Sequence, residues 1–348
     1  MMKNFPNIFM PLYILAVLTF ITFESKISSA ASSGVVLMYH RFGEAEYPST
    51  NIRLDQFAEH LAELKSGKYN VLSLEELTEA IIAGEDLPER TVALTIDDGF
   101  RSVYENAWPM IKESELPFTM FISSGLHEEQ RFDYMTWDQI REMADGGVTI
   151  AGHGLYHDHM AGLDETTSLK LIQEDYELIR EKLGEAPKLF AYPYGEASLT
   201  LMKQVESMGY IAAFGQQSGA LAKSLNPFYL PRFPVNERYG ELDRIRMNLN
   251  TIGLAVEDLL PEDPLLERSA ANNPPAIGFT LPRDLDNTDQ LACYHSKIGK
   301  VEDLQLIGKF RVEMRFEEAF EAGRTRINCT LPAENGRWYW FGLQYFTK

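Results

Sequence analysis

The stretch "TVALTIDDGF", residues 91–100, joins an apolar run to two adjacent carboxylates. An uncharged run such as 91–96 is typical of a strand that is buried on both faces of a sheet. Asp97 and Asp98 follow at the point where that strand would end. Adjacent carboxylates are costly to bury without partners. They therefore indicate either a helix cap with bonds to backbone amides or two functional groups that point in different directions.

Six further apolar runs lie between Gly34 and Asn250, and amphipathic stretches separate them. This alternation predicts a parallel sheet or barrel that is covered by helices. We therefore expect the α/β fold class, with a distorted (β/α) barrel of about seven parallel strands over residues 34–250. In such a barrel the chemistry gathers where the strands end. The predicted strands are 35–39, 91–96, 118–123, 148–152, 188–192, 211–215 and 229–235.

Helix signals occur between several of these strands. Ser73 with Glu76 has the pattern of a capping box, in which two side chains satisfy the first backbone amides of a helix. Thr136 with Gln139 repeats that pattern. Residues 165–183 carry apolar side chains at helical spacing. All three signals support the alternation of strands with helices.

The amino-acid composition and the hydrophobic pattern of the sequence change after the predicted barrel. Residues 251–275 are rich in proline, asparagine and acidic residues, which predicts a linker. Residues 276–348 contain short alternating runs, with an Asn335-Gly336 turn signal between the last two. We expect a small antiparallel β domain there, similar to a β-sandwich.

The N-terminus has the order of a secretory signal. Lys3 precedes an apolar core at 8–23, and Ser28 and Ala30 are the small residues before a cleavage point. We predict a signal peptide over residues 1–30, with an uncleaved anchor as the alternative. The protein is then exported, to the periplasm or the extracellular space, and has no stable membrane span once the signal is cleaved.

The cysteine count fits that compartment. Cys293 and Cys329 are the two cysteines of the chain. An even pair that lies close in sequence predicts one disulfide in an oxidising compartment.

The charge of the chain limits its partners. The formal net charge is −19. Nucleic acid and anionic lipid are poor partners for such a surface, so we expect neither. The oligomeric state stays open.

Two histidines follow the fourth predicted strand. His153 and His157 are four residues apart, and on a helical turn that spacing points both imidazoles the same way, as a divalent metal requires. His159 is either an alternative partner or a solvated loop residue.

Two histidines and one aspartate leave coordination positions open for a water and a substrate oxygen. A free carboxylate can then take the proton of the water. A histidine on the opposite side can protonate the leaving group. His40 follows the first predicted strand and Arg232 lies in the last. Both therefore lie at the same rim if the strands form one barrel.

Four short motifs stand at these strand ends: "TIDD" at 95–98, "HGLYH" at 153–157, "AYPYG" at 191–195 and "LMYH" at 37–40. Together they resemble the motifs of the polysaccharide deacetylase family, the NodB-homology carbohydrate esterases. The family's last motif, Leu-x-x-His, normally lies near the C-terminal end of the domain, whereas here it comes first. This permuted order resembles the poly-β-1,6-N-acetylglucosamine deacetylase branch.

The resemblance implies a role for each matching residue. It implies hydrolysis of the acetamide on an N-acetylglucosamine-containing polysaccharide or oligosaccharide, with one divalent metal ion, usually zinc. The implied roles are catalytic base for Asp97, metal ligands for Asp98, His153 and His157, an oxyanion-holding backbone amide for Tyr194, and general acid for His40.

Other residues are candidates for contacts with the substrate. Trp137 either lines a sugar groove or packs inside the fold. Trp338 and Trp340 share one face of a predicted strand, which suits a core or an exposed sugar platform. The third motif adds Tyr192, Pro193 and Gly195 to the candidate substrate site.

Two departures from the family pattern leave alternatives open. Ala191 replaces the arginine that orients the base, and Gly154 replaces a hydroxyl residue of the second motif. Arg232 either supplies the missing guanidinium or forms a surface or interdomain salt bridge. The alternative functions are a non-catalytic carbohydrate-binding protein on an inactivated barrel, and an amidase or esterase for a small molecule.

Overall fold

The computed structural model describes residues 1–2, 30–268 and 271–348. The predicted signal sequence therefore lies outside the described residues, apart from its ends. In the described part of the chain, no helix has both the length and the apolar character that a membrane span requires.

Seven strands of the first domain's parallel sheet coincide with the seven predicted strands, and the short strand Asn70–Val71 is an eighth, which pairs parallel with Thr91–Val92. The order of the seven across the sheet is β6-β5-β4-β3-β2-β1-β7. Leu221–Ala222 adds an antiparallel pair to β1. The strands are β1 (Ser33–Tyr39), β2 (Thr91–Asp98), β3 (Thr119–Ile122), β4 (Thr149–Gly152), β5 (Leu189–Ala191), β6 (Ala212–Phe214) and β7 (Phe233–Pro234).

The chain around β7 touches both edges of this sheet. The Leu230 amide donates to the Ala213 carbonyl at 2.9 Å, and the Val235 amide donates to the Met38 carbonyl, also at 2.9 Å. Because this segment bonds to β6 and to β1, the sheet curls into a distorted barrel. The carboxyl ends of its strands consequently share one rim.

Eight helices of the described chain accompany the strands. Both predicted capping boxes are present, at Ser73 and at Thr136, and each begins a helix. The predicted helix 165–183 is present as well. The helices are α1 (Leu54–Leu64), α2 (Leu74–Ala83), α3 (Trp108–Ser114), α4 (Ser124–Glu128), α5 (Trp137–Asp145), α6 (Glu165–Leu183), α7 (Leu199–Ser207) and α8 (Leu242–Leu249).

Both faces of the barrel strands are buried. Along β1, Val35 and Leu37 join one apolar cluster, whereas Val36 joins another on the opposite face. Successive side chains of a strand point to opposite faces. Covering both faces therefore requires the continuous apolar runs seen in the sequence.

The C-terminal domain consists of two sheets that share one apolar cluster. The two sheets agree with the predicted sandwich, and most of their strand pairs are antiparallel as predicted, but Ile252–Gly253 and Leu265–Leu266 each pair parallel with the last strand. Its strands are β8 (Ile252–Gly253), β9 (Glu257–Leu260), β10 (Leu265–Leu266), β11 (Ile277–Thr280), β12 (Ala292–His295), β13 (Gly299–Lys300), β14 (Leu304–Ile307), β15 (Arg311–Met314), β16 (Gly323–Pro332) and β17 (Trp338–Thr347).

The segment 251–275 differs from the predicted linker. In place of an irregular connection it supplies β8, β9 and β10, which pair with β17 or β11 of the C-terminal sheets. Leu254, Val256 and Leu266 are buried in the domain's apolar cluster. The prolines and acidic residues that suggested a linker lie mainly around these short strands.

The disulfide prediction is confirmed. Cys293 on β12 and Cys329 on β16 face each other across an antiparallel pair and are bonded. Both are fully buried in the cluster shared by the two sheets.

Trp340 belongs to the contact between the domains instead of the core of the β domain. Its ring packs edge to face on Phe233 of β7, with centroids 5.3 Å apart. The core of the β domain is formed by the opposite face of β17, which includes Phe341 and Leu343. Trp338, on the same face as Trp340, is partly exposed.

Candidate active site

The end of β2 turns sharply and separates the two aspartates. Asp98 has a φ of 74° and Gly99 a φ of 72°, both in the left-handed region. A non-glycine residue in that region is uncommon and is frequently found at functional sites. As a result Asp97 and Asp98 engage different partners, as the sequence predicts for two functional groups.

Asp98 lies against two histidines. Its Oδ1 is 3.3 Å from Nε2 of His153 and 3.2 Å from Nε2 of His157. The three ligand atoms lie within 4.8 Å of one another. The predicted metal ligands are thus brought together.

The unsatisfied atoms of this group fit a metal ion. Asp98 Oδ1 and His153 Nε2 are buried, and neither atom forms a hydrogen bond with a described residue. The other ring nitrogen of His153 donates to the Ala191 carbonyl at 2.7 Å, which turns Nε2 towards the group. Burial lowers the pKa of His157 to about 4, so its imidazole is neutral near pH 7, as a ligand must be. Two nitrogens and one oxygen are a donor set that suits a divalent transition metal.

The two histidines converge through a loop, whereas the sequence suggested a helical turn. His153 directly follows β4, and His157 has a φ of 60°. Gly154 has a φ of 74°, and a Cβ there would lie 2.9 Å from Sδ of Met160. A hydroxyl residue at this position would therefore be strained, which explains the glycine in the second motif.

Asp97 forms a bidentate ion pair with Arg232. Nη1 of the arginine is 2.6 Å from Oδ1 of the aspartate, and Nη2 is 2.8 Å from Oδ2. Both side chains are fully buried. Arg232 also donates to the Gly215 carbonyl at 3.1 Å. The structure thus excludes a surface salt bridge for Arg232 and places a guanidinium where Ala191 cannot supply one.

Burial and charge act on Asp97 in opposite directions. Burial raises the pKa of the carboxyl, but the charges of Arg232, His153 and His40 more than offset it. The pKa of Asp97 is therefore lowered, and the carboxylate is ionised at neutral pH.

His40 reaches the same rim from the neighbouring strand. The register pairs Tyr39 of β1 with Ile96 of β2, so His40 lies beside Asp97. Burial raises the pKa values of Asp97 and Asp98, and the charge of His40 is one of several nearby charges that lower both. His40 is half-buried and so remains accessible from solvent.

Tyr194 stands on a tight turn, Pro193–Gly195, directly after β5. Its ring meets the His157 ring edge-on, with centroids 4.4 Å apart. In residues 30–268 and 271–348, the Tyr194 N–H donates to no protein acceptor. The amide is thus available beside the metal-binding group.

Several candidate substrate residues are packed inside the fold. Tyr192 is fully buried and donates its hydroxyl hydrogen to the Phe228 carbonyl at 2.9 Å. Trp137 belongs to the main apolar cluster, and Pro193 and Gly195 are buried in the turn. Tyr192 therefore packs inside the fold in place of the predicted contact with a sugar, and Trp137 takes the packing alternative.

The structure adds residues that motif reasoning missed. Asp175 of α6 is fully buried and accepts from the Ser124 amide at 3.1 Å and from the Gly154 amide at 3.2 Å. Burial raises the pKa of Asp175 to about 6. Glu196 accepts from or shares a proton with His159 Nδ1 at 2.7 Å. An acidic residue at an apolar position of a helical pattern was a signal for Asp175, whereas the sequence near Glu196 gave no such sign.

Comparison with known proteins identifies the barrel. Residues 84–213 match the family described as Polysaccharide deacetylase. Over these residues the chain is similar to that family. The matched region contains Asp97, Asp98, His153, His157 and the Tyr194 turn, whereas His40 and Arg232 lie outside it.

Individual relatives cover more of the barrel. A poly-β-1,6-N-acetyl-D-glucosamine N-deacetylase of Staphylococcus aureus (strain MRSA252) is 25% identical over 238 residues, which span 61% of this chain and 82% of the relative. The Streptococcus pyogenes deacetylase PplD in complex with acetate matches with a TM-score of 0.56, at 22% identity over 60% of this chain and 94% of that one. IcaB from Ammonifex degensii matches with a TM-score of 0.55, at 24% identity over 61% and 95% of the two chains. The structural matches establish the shared barrel fold.

Proposed function

We propose that this protein hydrolyses N-acetyl groups from an N-acetylglucosamine-containing polysaccharide and releases acetate. The observation that carries the proposal is the buried Asp97–Arg232 pair directly beside the Asp98, His153 and His157 group. The name of the Staphylococcus aureus relative supports poly-β-1,6-linked N-acetylglucosamine as the substrate class.

Asp98, His153 and His157 would hold one divalent metal ion, and we infer zinc from two imidazole nitrogens and one carboxylate oxygen. Such an ion supplies Lewis-acid polarisation of a carbonyl and a lower pKa for water. The remaining steps belong to side chains and backbone of this chain.

Asp97 is the general base. The bidentate pair with Arg232 fixes the orientation of the Asp97 carboxylate. The ionised carboxylate then takes a proton from the attacking water. Asp98 cannot substitute for it, because Asp98 faces the two histidines.

His40 is the general acid. It approaches from β1, next to the carboxylates, and it is the half-buried imidazole of this rim that the Asp98 group does not use. Protonation of the amine nitrogen by His40 lets the bond from carbonyl carbon to nitrogen break, so that acetate leaves and an amino sugar remains.

The Tyr194 backbone amide holds the negative charge that develops on the acetamide oxygen. Its N–H is free of protein acceptors within the described chain. A donor that is fixed before the reaction is worth about 100- to 1,000-fold in rate at such a position.

We further propose that residues 34–250 form the deacetylase domain and that the protein acts after export, in the periplasm or the extracellular space. The export proposal rests on the signal-like sequence at residues 1–30 and on the disulfide between Cys293 and Cys329.

The test is acetate release from N-acetylglucosamine oligomers by wild type, Asp97→Asn and His40→Ala. We expect activity in the wild type and losses of about 100- to 10,000-fold in each variant, since each removes a proton-transfer group. Comparison of β-1,6 with β-1,4 oligomers checks the linkage. Wild-type activity in both variants would refute the roles of Asp97 and His40.

The alternative of a carbohydrate-binding protein on an inactivated barrel depended on the arginine missing at Ala191. Arg232 pairs with Asp97, so the alanine at position 191 does not leave that carboxylate without a guanidinium. Chelator-insensitive oligosaccharide binding without acetate release would favour the alternative.

A further inference from the structure

The turn that carries Tyr194 is strained and tightly enclosed. Tyr194 has a φ of 59°, in the left-handed region that non-glycine residues rarely adopt. At Gly195 the φ is 68°, and a Cβ there would lie 2.4 Å from the Gln216 backbone nitrogen. Such conformations persist where surrounding contacts hold them. The question is which contacts hold this turn.

Gln344, on β17 of the C-terminal domain, donates to both carbonyls of the turn. Its Nε2 is 3.1 Å from the carbonyl oxygen of Tyr194 and 2.7 Å from the carbonyl oxygen of Gly195. Its Oε1 accepts from Nε of Arg326 at 2.7 Å, which determines that the amide nitrogen faces the turn. Gln344 is only 1% exposed, so water does not compete for these bonds. The hydroxyl of Tyr229, from the barrel, is the second donor to the Gly195 carbonyl oxygen, at 2.8 Å.

A second group from the same domain covers the Tyr194 side chain. Nη1 of Arg324, on β16, donates to the backbone carbonyl of Tyr194 at 3.4 Å. The guanidinium of Arg324 lies 5.4 Å from the centre of the tyrosine ring. The His159 ring stacks on that tyrosine ring with a centroid distance of 4.0 Å, and Phe346 of β17 lies parallel to His159 at 6.2 Å. The turn is therefore held through its backbone and through its ring.

These side chains come from one face of the β16–β17 hairpin. The register pairs Arg324 with Phe346 and Arg326 with Gln344, and alternate residues of a strand share a face. The opposite face forms the buried core of the C-terminal domain. At the far end of the hairpin, Arg337 donates to the Asn250 carbonyl at 2.8 Å. The hairpin thus contacts the barrel at two separate places.

We propose that Gln344 is a positioning residue of the deacetylase, through which the C-terminal domain orients the Tyr194 amide towards the acetamide oxygen. This inference rests on the proposed function. Gln344 touches neither the substrate nor the metal-binding group. It holds the Tyr194 and Gly195 carbonyls, which fixes the backbone of the turn and with it the direction of the Tyr194 N–H. Displacing such a donor by about 1 Å can cost about 100-fold in rate.

The primary test replaces Gln344 by methionine, which keeps the length of the side chain and removes both donors. Gln344→Met is expected to lower kcat for acetate release by about 10- to 100-fold, with KM changed by less than about twofold. Bound metal per chain, measured by elemental analysis, stays at the wild-type value. The kcat-against-KM division separates loss of orientation from loss of substrate binding.

The matched control is Arg337→Met, at the other end of the same hairpin. It removes an interdomain hydrogen bond of similar kind without touching the turn. Both kcat and metal content are expected to stay at the wild-type level. An equal loss of kcat in Arg337→Met would overturn the proposal, because general docking of the domain would then explain the effect.

Arg324 offers a second pair of variants in case Gln344→Met folds poorly. Arg324→Lys keeps a cationic donor and is expected to retain most of kcat, whereas Arg324→Met is expected to lose more of it. Equal kcat in the two Arg324 variants would also overturn the proposal.

Hydrogen–deuterium exchange of the peptide covering residues 189–198 separates this inference from the proposed function. Exchange in Gln344→Met is expected to be at least about tenfold faster than in wild type and in Arg337→Met. If wild type released no acetate, the proposed function would fail while faster exchange would still support the role of Gln344 in holding the turn. Unchanged exchange would refute that role whatever the activity.

Discussion

The rim of the barrel and the β16–β17 hairpin place polar side chains by different rules. At the rim, His40, Asp97 and His153 each come from the end of a different parallel strand. On the hairpin, Arg324 and Arg326 come from alternate residues within one strand. Strand ends converge in a barrel and can surround a substrate atom. The side chains on one face of a hairpin follow one another along the strands, so they can contact the barrel at several separate places.

This difference predicts that the rim determines activity and that the core of the hairpin determines stability. Variants at the rim should lose activity while the fold is kept, and variants in the hairpin core should lose stability while kcat is kept. Gln344 is the proposed exception, because it lies on the hairpin face that meets the rim.

The largest expected effect is the loss of the metal. Removal by a chelator, or His153→Ala, should lower acetate release by about 10,000-fold, because several kcal/mol of charge stabilisation disappear. Re-addition of zinc should restore the chelated wild type and leave His153→Ala inactive. His295→Gln, in the C-terminal domain, is the matched histidine control and should keep both metal and kcat. Full activity of the chelated enzyme would contradict the assigned site.

The next effect is on stability. The double variant Cys293→Ser with Cys329→Ser opens a loop with a sequence separation of 36. In the chain-entropy account this should lower the free energy of unfolding of the C-terminal domain by about 3 to 4 kcal/mol. Chemical denaturation measures the loss, and kcat below the transition should match wild type. A strong fall in kcat of the fully folded double variant would contradict the prediction that the C-terminal core affects stability alone.

Arg232→Met should change the pH profile. Asp97 acts as a base when ionised, so activity is lost as pH falls through its pKa. Burial raises that pKa and Arg232 is the largest influence that lowers it. Without the guanidinium the pKa rises, and the acidic limb of kcat/KM should move to higher pH, with a loss of about 10- to 100-fold at pH 5. Arg246→Met, which breaks a pair with Glu63 on the outer helices, should leave the profile unchanged. An acidic limb at the wild-type pH would contradict the pairing.

The smallest effect concerns Tyr192. Tyr192→Phe removes the buried hydrogen bond to the Phe228 carbonyl and should lower the free energy of unfolding by about 1 kcal/mol. KM for the oligosaccharide should not change, because the hydroxyl is directed into the core. A clear rise in KM would restore Tyr192 to the substrate site.

Much of the barrel could be predicted from local patterns. The two capping boxes, the helix 165–183 and all seven strands follow from spacing within short windows. The motif residues followed from their places at strand ends. The segment 251–275 was harder, because Leu254 and Val256 sit among turn-forming residues and their burial depends on sheets formed later in the chain.

The sequence by itself determined the barrel, the grouping of Asp98, His153 and His157 at strand ends, and the disulfide, because each depends on periodicity, on strand ends or on residue type. Tertiary structure alone decided that Arg232 meets Asp97 across 135 positions, that Tyr192 and Trp137 are packed, and that Gln344 reaches the Tyr194 turn across 150 positions. Those contacts depend on how the sheet closes and how two domains dock. A local pattern carries no information on either, since many partners of the same chemistry lie equally far along the chain.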